Sequence, residues 1–263
     1  MDWKHPTGSI PKVVDIVACG PTIRSYMAMR FEYDPIAPTP DEVWTLNKAV
    51  RTVRADLAFI MDDLVGEARR SERYRQDLEC LQIPVITSTV DMQVEDLYPT
   101  LFMHGLTEYP LDEVLNQLGA RVLRNRGPNL NTGDVKNVGD IVGYYLHNSI
   151  PYMLAYALFI GVERVQLYGA DYTYPGMAAR EDDRANTEYW IGLLRAFGVE
   201  VWTTRDTTLL NQTRQPWLYG YGARPPARKA PTVDWLAEEA ARLWPGPITR
   251  DLEDAIPLQA VDT

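Results

Sequence analysis

The chain has 263 residues, with 36 Asp and Glu against 26 Lys and Arg and three histidines, for a formal net charge of −10 at pH 7. That balance excludes a uniformly basic, histone-like coat for nucleic acid. At 46% hydrophobic and 24% charged the composition is globular, which excludes disorder as the main state and allows one large core or two small ones.

Apolar runs such as 153–162 stop well short of the roughly 18 to 20 residues a membrane-spanning helix needs. The opening MDWKHPTGSIPKVVDIVACG lacks the charged start, apolar run and small-residue cleavage site of a secretory signal, so cytoplasmic residence is expected. Cys19 and Cys80 are too few for a disulfide framework or a thiolate metal cage. With His5, His104 and His147 scattered along the chain, no zinc site of His and Cys is expected.

In chain order, Lys12 to Cys19 reads as a buried strand, Val43 to Leu46 as a second, Asp56 to Met61 as a third and Pro84 to Ser88 as a fourth. A charged amphipathic helix is predicted over Glu67 to Leu81, and another over Leu111 to Leu118, ended by Gly119. A polar Gly/Asn-rich loop follows from Asn125 to Gly139. Ser149 to Ile160 then reads as a mostly apolar helix capped by Gly161, Arg164 to Tyr168 as a strand, Arg180 to Phe197 as a helix stopped by Gly198, and Val199 to Thr203 as a strand. From Arg205 to Pro231 the pattern is irregular, and a last helix is predicted from Thr232 to Pro245. Strands alternating with helices predict an α/β fold: a doubly wound, mostly parallel sheet with helices on both faces. Residues 1–204 are read as this domain, and 205–263 as a C-terminal basic and aromatic loop and helix packed on it.

In such a sheet ligands bind beyond the carboxyl ends of the strands at the topological switch point. The first strand runs into Gly20-Pro21-Thr22, either a phosphate-receiving turn or an ordinary strand-to-helix turn. It is neither the GxGxxG fingerprint nor a P-loop. The second ends at Asn47, whose amide suits a base or ribose edge as well as a cap. The third ends in Asp62-Asp63, able to hold a divalent cation or a sugar hydroxyl, or to cap a helix. Adjacent side chains on an extended strand point to opposite sides, so one of the two is expected to reach a pocket. His147, Asn148 and Ser149 precede the apolar helix, where cap, free amides and dipole make an anion site and the imidazole is suited to base catalysis. The strand RVQLY ends in Gly169-Ala170-Asp171-Tyr172, with Asp171 a base, a ribose ligand or a network anchor.

Two separated stretches, VVDIVACGPT with VWTLN and HNSIPYMLAYALFIGVERVQLYGADYTY, resemble bacterial sialyltransferases that modify lipooligosaccharide. The same blocks are similar to the pterin-diphosphokinase-like group once called domain of unknown function 115. The resemblance implies a Rossmann-like sheet with 1–204 binding a nucleotide-sugar as co-substrate. It implies donor contacts from Gly20, Pro21 and Thr22 to phosphates or ribose, from Asn47 to the nucleotide, from Asn148 and Ser149 to phosphate or sugar, and from Gly169, Asp171 and the adjoining Tyr172 to the nucleoside. The chain departs from the sialyltransferase pattern in MDDL after the third strand. It also lacks any histidine beyond His147, where that family carries its base. Asp62, Asp63, His147 and Asp171 are therefore the candidate bases, and a divalent cation is permitted but not required.

Two segments oppose the acidic total. Arg121, Arg124, Arg126 and Lys136 stand against Asp134 within 121–137, and Arg205, Arg214, Arg224, Arg228 and Lys229 against Asp206 within 205–231. The second segment also carries Trp217, Tyr219 and Tyr221. Charge spaced by aromatics suits a phosphate backbone with an exposed base, a glycan, or simple packing onto the sheet. Arg124, Arg126, Arg214, Trp217, Tyr219 and Tyr221 are the acceptor candidates. The favoured function is a glycosyltransferase whose acceptor is a hydroxymethylated base in DNA, of the sort found in viral genomes, or else a glycan. The alternatives are a diphosphokinase or other phosphotransferase, and a non-catalytic nucleotide-binding protein.

Overall fold

A computed structural model of the chain describes residues 3–32, 39–125, 145–172, 179–204 and 207–211. Among these, seven strands form one sheet: β1 (Val13–Val17), β2 (Glu42–Leu46), β3 (Leu57–Ile60), β4 (Val85–Thr87), β5 (Leu106–Glu108), β6 (Arg164–Tyr168) and β7 (Glu200–Thr203). Their order is β5-β4-β3-β2-β1-β6-β7, and every pairing is parallel. The chain winds outward from β1 to β5, then returns to lay β6 against β1 and continues the other way to β7. The switch point therefore lies between β1 and β6, where Val17 pairs with Tyr168. This is the doubly wound α/β architecture expected from the sequence.

The central strands are buried on both faces, so apolar residues dominate them without alternation, and polar members are paired inside, as where Gln166 Nε2 of β6 donates to Asp15 Oδ1 of β1 at 2.8 Å. On one face Ile16, Trp44, Phe59 and Leu167 pack under α6 (Leu111–Asn125), α7 (Ser149–Ile160) and α8 (Ala179–Ala196). On the other, Ala58, Ile60 and Val85 pack under α2 (Leu64–Arg70), α3 (Glu72–Glu79), α4 (Met92–Leu97) and α5 (Pro99–His104). There too Val17 and Tyr168 pack with Tyr26 of α1 (Ile23–Glu32). No helix of the described residues is long and apolar enough to cross a membrane.

Three local readings are corrected. The helix expected over 67–81 is two, because Ser71 is extended (φ −148°, ψ 99°) and its hydroxyl accepts the Tyr74 amide as the cap of α3. α6 runs through Gly119 to Asn125 rather than stopping at 118. A helical glycine costs about 1 kcal/mol relative to alanine, and the wholly buried Val114 and Leu118 on the same helix outweigh it. β5, α1, α4 and α5 are elements that periodicity did not reveal. By contrast α7 and β6 have the bounds read from the sequence, with Gly161 left-handed at φ 90°.

The described residues all belong to one compact unit, and 213–263 lie outside them. The stretch 207–211 packs into the sheet domain: Leu209 is fully buried and the Thr207 hydroxyl donates to the Ala170 carbonyl at 3.1 Å.

At the amino end of β2, Glu42 is buried and accepts from the Thr7 hydroxyl, from Trp44 Nε1 at 2.7 Å and from His5 Nε2 at 3.0 Å. His5 Nδ1 meets the Tyr156 hydroxyl at 2.7 Å, so this histidine pins the N-terminal segment to α7. Burial works to raise the Glu42 pKa, and the hydrogen bonds from His5, Thr7 and Trp44 outweigh it and hold the carboxyl below its ordinary range. A carboxyl lowered in the folded state contributes stability that is complete above its unfolded value near 4.5 and is lost as pH falls through the folded value. Denaturant midpoints measured against pH should therefore fall below about pH 4.5 in the wild type. Glu42→Gln should be less stable at neutral pH by roughly 1.5–3 kcal/mol and lack that part of the acid dependence. Parallel curves for the two proteins would remove Glu42 from the explanation.

Candidate functional site

The loops leaving β1 and β6 are bonded to each other. The Gly20 amide donates to the Gly169 carbonyl at 2.7 Å, the Gly169 amide to the Thr22 hydroxyl at 3.0 Å, and the Thr22 amide to Asp171 Oδ2 at 2.6 Å. Such close approach needs glycine on both sides. A Cβ on Gly20 would lie 2.4 Å from the Gly169 carbonyl oxygen, and one on Gly169, whose φ is +66°, would lie 2.1 Å from that of Ala18.

This junction corrects one sequence reading. Besides Gly20 and Thr22, the amides of Ile23, Arg24 and Ser25 bond to the carbonyls of Gly20, Pro21 and Thr22, and Pro21 has no N–H. The Gly20-Pro21-Thr22 turn thus has no amide left for a phosphate. It builds the floor of the crevice instead. Asp171, also buried, anchors that floor through the Thr22 amide.

Asn47, directly after β2, has a left-handed backbone (φ 45°), and its side-chain Oδ1 is buried without a hydrogen-bond partner among the described residues. A non-glycine residue in this conformation with an unused acceptor is the kind of stored cost found at binding sites. Lys48 beside it and Cys19 at the end of β1 are exposed, and sequence reasoning had assigned neither to the site. Although Cys19 is exposed, its thiol turns onto the Leu46 carbonyl at 3.7 Å and is desolvated by the surrounding protein, which pushes it up, while the Lys48 backbone and charge pull the other way.

Asp62 and Asp63 have different jobs. Asp63 caps α2, its Oδ1 accepting the Val65 amide at 3.1 Å, and Gly66 leaves room for it, since a Cβ there would sit 2.6 Å from Oδ2. Asp62 opens on solvent at the crevice mouth, yet the surrounding protein desolvates it, and that, with the negative Glu67, raises its carboxyl above the usual range against the pull of Arg70 and Lys48. Asp63→Ala should lower stability by roughly 0.5–2 kcal/mol and leave turnover unchanged. A melting curve paired with an activity assay tests this, and loss of turnover at unchanged stability would return Asp63 to the reacting groups.

At the start of α7 the Asn148 side chain accepts the Ile150 amide at 3.1 Å and donates to the Asp183 carbonyl at 3.2 Å. Tyr172, just past β6, donates its hydroxyl to Asn148 Oδ1 at 3.3 Å and lies 2.7 Å from the Thr187 hydroxyl. The sequence candidates Asn148 and Tyr172 are therefore in contact. With Ile150 capped and Pro151 lacking an N–H, the first turn leaves the amide and hydroxyl of Ser149 as its donors. His147 is exposed one residue ahead of the cap.

Among the described residues no group of three or more His, Cys, Asp and Glu gathers as a metal site. Arg124 lies in the last turn of α6, with its side chain outside the described residues. Arg126, Arg214, Trp217, Tyr219, Tyr221 and the helix expected at 232–245 also lie outside them. A cavity of about 910 Å³ lies at the opposite end of the strands, by the amino ends of β1, β6 and β7, between Val13, Leu158, Phe197 and Val199. The charged groups beside it are already paired, Arg164 with Glu200 and Lys12 with Glu163.

The chain matches no protein-family model and no curated protein. It is similar to solved structures of the sialyltransferase CstII from Campylobacter jejuni. With that enzyme in complex with a substrate analogue, cytidine-5'-monophosphate, it shares 14% identity at a TM-score of 0.42, over 76% of this chain and 83% of the other. With the complex containing CMP-3FNeuAc the identity is 13% and the TM-score 0.42, over 76% of this chain and 84% of the other.

Proposed function

We propose that the crevice at the carboxyl ends of β1, β2 and β6 binds a nucleotide-sugar, and that the chain is a glycosyltransferase. The observation that carries this is Asn47: a left-handed residue whose buried amide oxygen awaits a donor, set beside the switch point of a parallel sheet. A ribose hydroxyl or an exocyclic amine of a base supplies that donor. In this reading the leaving phosphate lies at the start of α7, held by the Ser149 amide and hydroxyl, the helix dipole and the Lys48 ammonium.

The acceptor hydroxyl attacks the anomeric carbon, its new C–O bond forming as the bond from that carbon to the donor's phosphate oxygen breaks. Its proton passes to Asp62 or His147, which are exposed and cap no helix; Asp63 is exposed too but caps α2, and buried Asp171 is bonded to the Thr22 amide. The acceptor we favour is a hydroxymethylated base in DNA, reached through the basic segments 121–137 and 205–231.

A mass-spectrometric screen of nucleotide-sugars with hydroxymethylated and plain DNA tests both levels. Transfer to the modified DNA is expected, and it should persist in chelator, where a phosphotransferase would stop. Donor consumption without a DNA mass change would remove DNA as acceptor, and binding without turnover would make the protein a nucleotide-binding module. Of Asp62→Asn and His147→Ala, the variant lacking the base should lose roughly 10²–10⁴-fold in rate while still binding donor. Full activity in both would overturn the proposed acid–base site.

A further inference from the structure

Tyr145 precedes Asn148, the cap of α7, by three residues. Its ring stacks on Tyr189 of α8 with centroids 3.8 Å apart and planes 12° from parallel. Fully buried Trp190 donates its indole N–H to the Tyr145 carbonyl at 3.0 Å and meets Tyr189 edge-on, at 6.0 Å and 88°. The stacked neighbour and the bond to the backbone both hold Tyr145 in place, and Tyr145 remains exposed to 36%.

We propose that Tyr145, backed by Tyr189, is a stacking ledge for a nucleobase. Four observations lead there. The ring is fixed through both its backbone and its neighbour, so little freedom is lost when a ligand covers it. An electron-rich pair favours a flat, electron-poor face such as a base. Its 3.8 Å spacing is one that a further planar ring continues without adjustment. It also adjoins the start of α7, where the glycosyltransferase reading, on which this inference rests, places the phosphate.

The base has two sources, the donor nucleotide or single-stranded DNA presented as acceptor. Calorimetric titration of wild type, Tyr145→Phe, Tyr145→Leu and Tyr145→Ala with AMP, CMP, GMP, UMP and a short oligothymidylate separates them, with ribose 5-phosphate as the base-free probe. Ala and Leu should weaken the base-bearing probe by roughly 5- to 150-fold, while Phe stays within about two-fold of wild type. Ribose 5-phosphate should bind all four proteins alike. Loss confined to the monophosphates assigns the donor's base, and loss confined to the oligonucleotide assigns the acceptor's. Unchanged binding in Ala and Leu, or an equal loss with ribose 5-phosphate, would overturn the ledge alone. A wild type that binds none of the probes would overturn the ledge together with the nucleotide-sugar reading.

Discussion

Gly169→Ala should be the most damaging single substitution in the crevice. The added Cβ would lie 2.1 Å from the Ala18 carbonyl oxygen and 2.7 Å from its carbonyl carbon, both of them backbone atoms on the strand-end loop that β1 feeds. A left-handed non-glycine residue already costs about 1–2 kcal/mol. The clash adds to it, and a total near 4 kcal/mol is a large share of a typical stability of about 5–15 kcal/mol. The melting midpoint should fall by roughly 8–16 °C, or the folded protein should fail to accumulate. Gly161→Ala is the matched control: its φ is also positive, at +90°, but its Cβ would meet open space at the end of α7. That variant should cost only about 1 kcal/mol. Equal losses at the two positions would mean that contact between the β1 and β6 loops adds nothing beyond backbone strain.

Asp171 is the second position of large effect, and its variants separate an anchor from a base. In Asp171→Ala the Thr22 amide, now 2.6 Å from Oδ2, is left buried without its acceptor. Losing a hydrogen bond to a charged group costs roughly 1.5–3 kcal/mol. Turnover should fall by about 10²-fold as the floor between β1 and β6 shifts. Asp171→Asn retains an oxygen that can accept the same N–H, so it should recover most of the stability and much of the rate. A reacting base would behave differently, since the asparagine protein would melt normally and yet be inactive. Melting curves and single-turnover rates on the two variants decide between these roles.

Much of this arrangement was readable from residue order alone. β1, β6 and α7 are mostly apolar because helices cover both faces of the sheet and α7 packs on one of them, and Gly161 marks the helix end as its left-handed φ requires. β5 escaped notice because only Leu106 of its three residues is apolar and buried, whereas the equally short β4, VIT, is buried throughout. The break at Ser71 depends on one hydroxyl capping the following turn in the middle of a charged, helix-favouring run. The part of the site that local pattern could not reveal is the fate of backbone amides. Whether Thr22 offers its N–H to a ligand or to Asp171 depends on residues 149 positions apart in the chain. The same holds for Tyr172 reaching Asn148 and Thr187, and for the loop after β7 bracing Ala170 through Thr207. A helix cap was among the readings open to Asp62-Asp63, and the Val65 amide bonded to Asp63 Oδ1 shows which of the two caps α2.

Hydrogen exchange on the full chain, with and without the nucleotide-sugar that the transfer screen identifies, tests the central claim most directly. New protection should appear around 18–23, 46–51, 147–152 and 169–172, the segments that surround the crevice at the carboxyl ends of β1, β2 and β6. Protection centred instead on 158–164 and 197–200, beside the cavity at the amino ends of β1, β6 and β7, would contradict it.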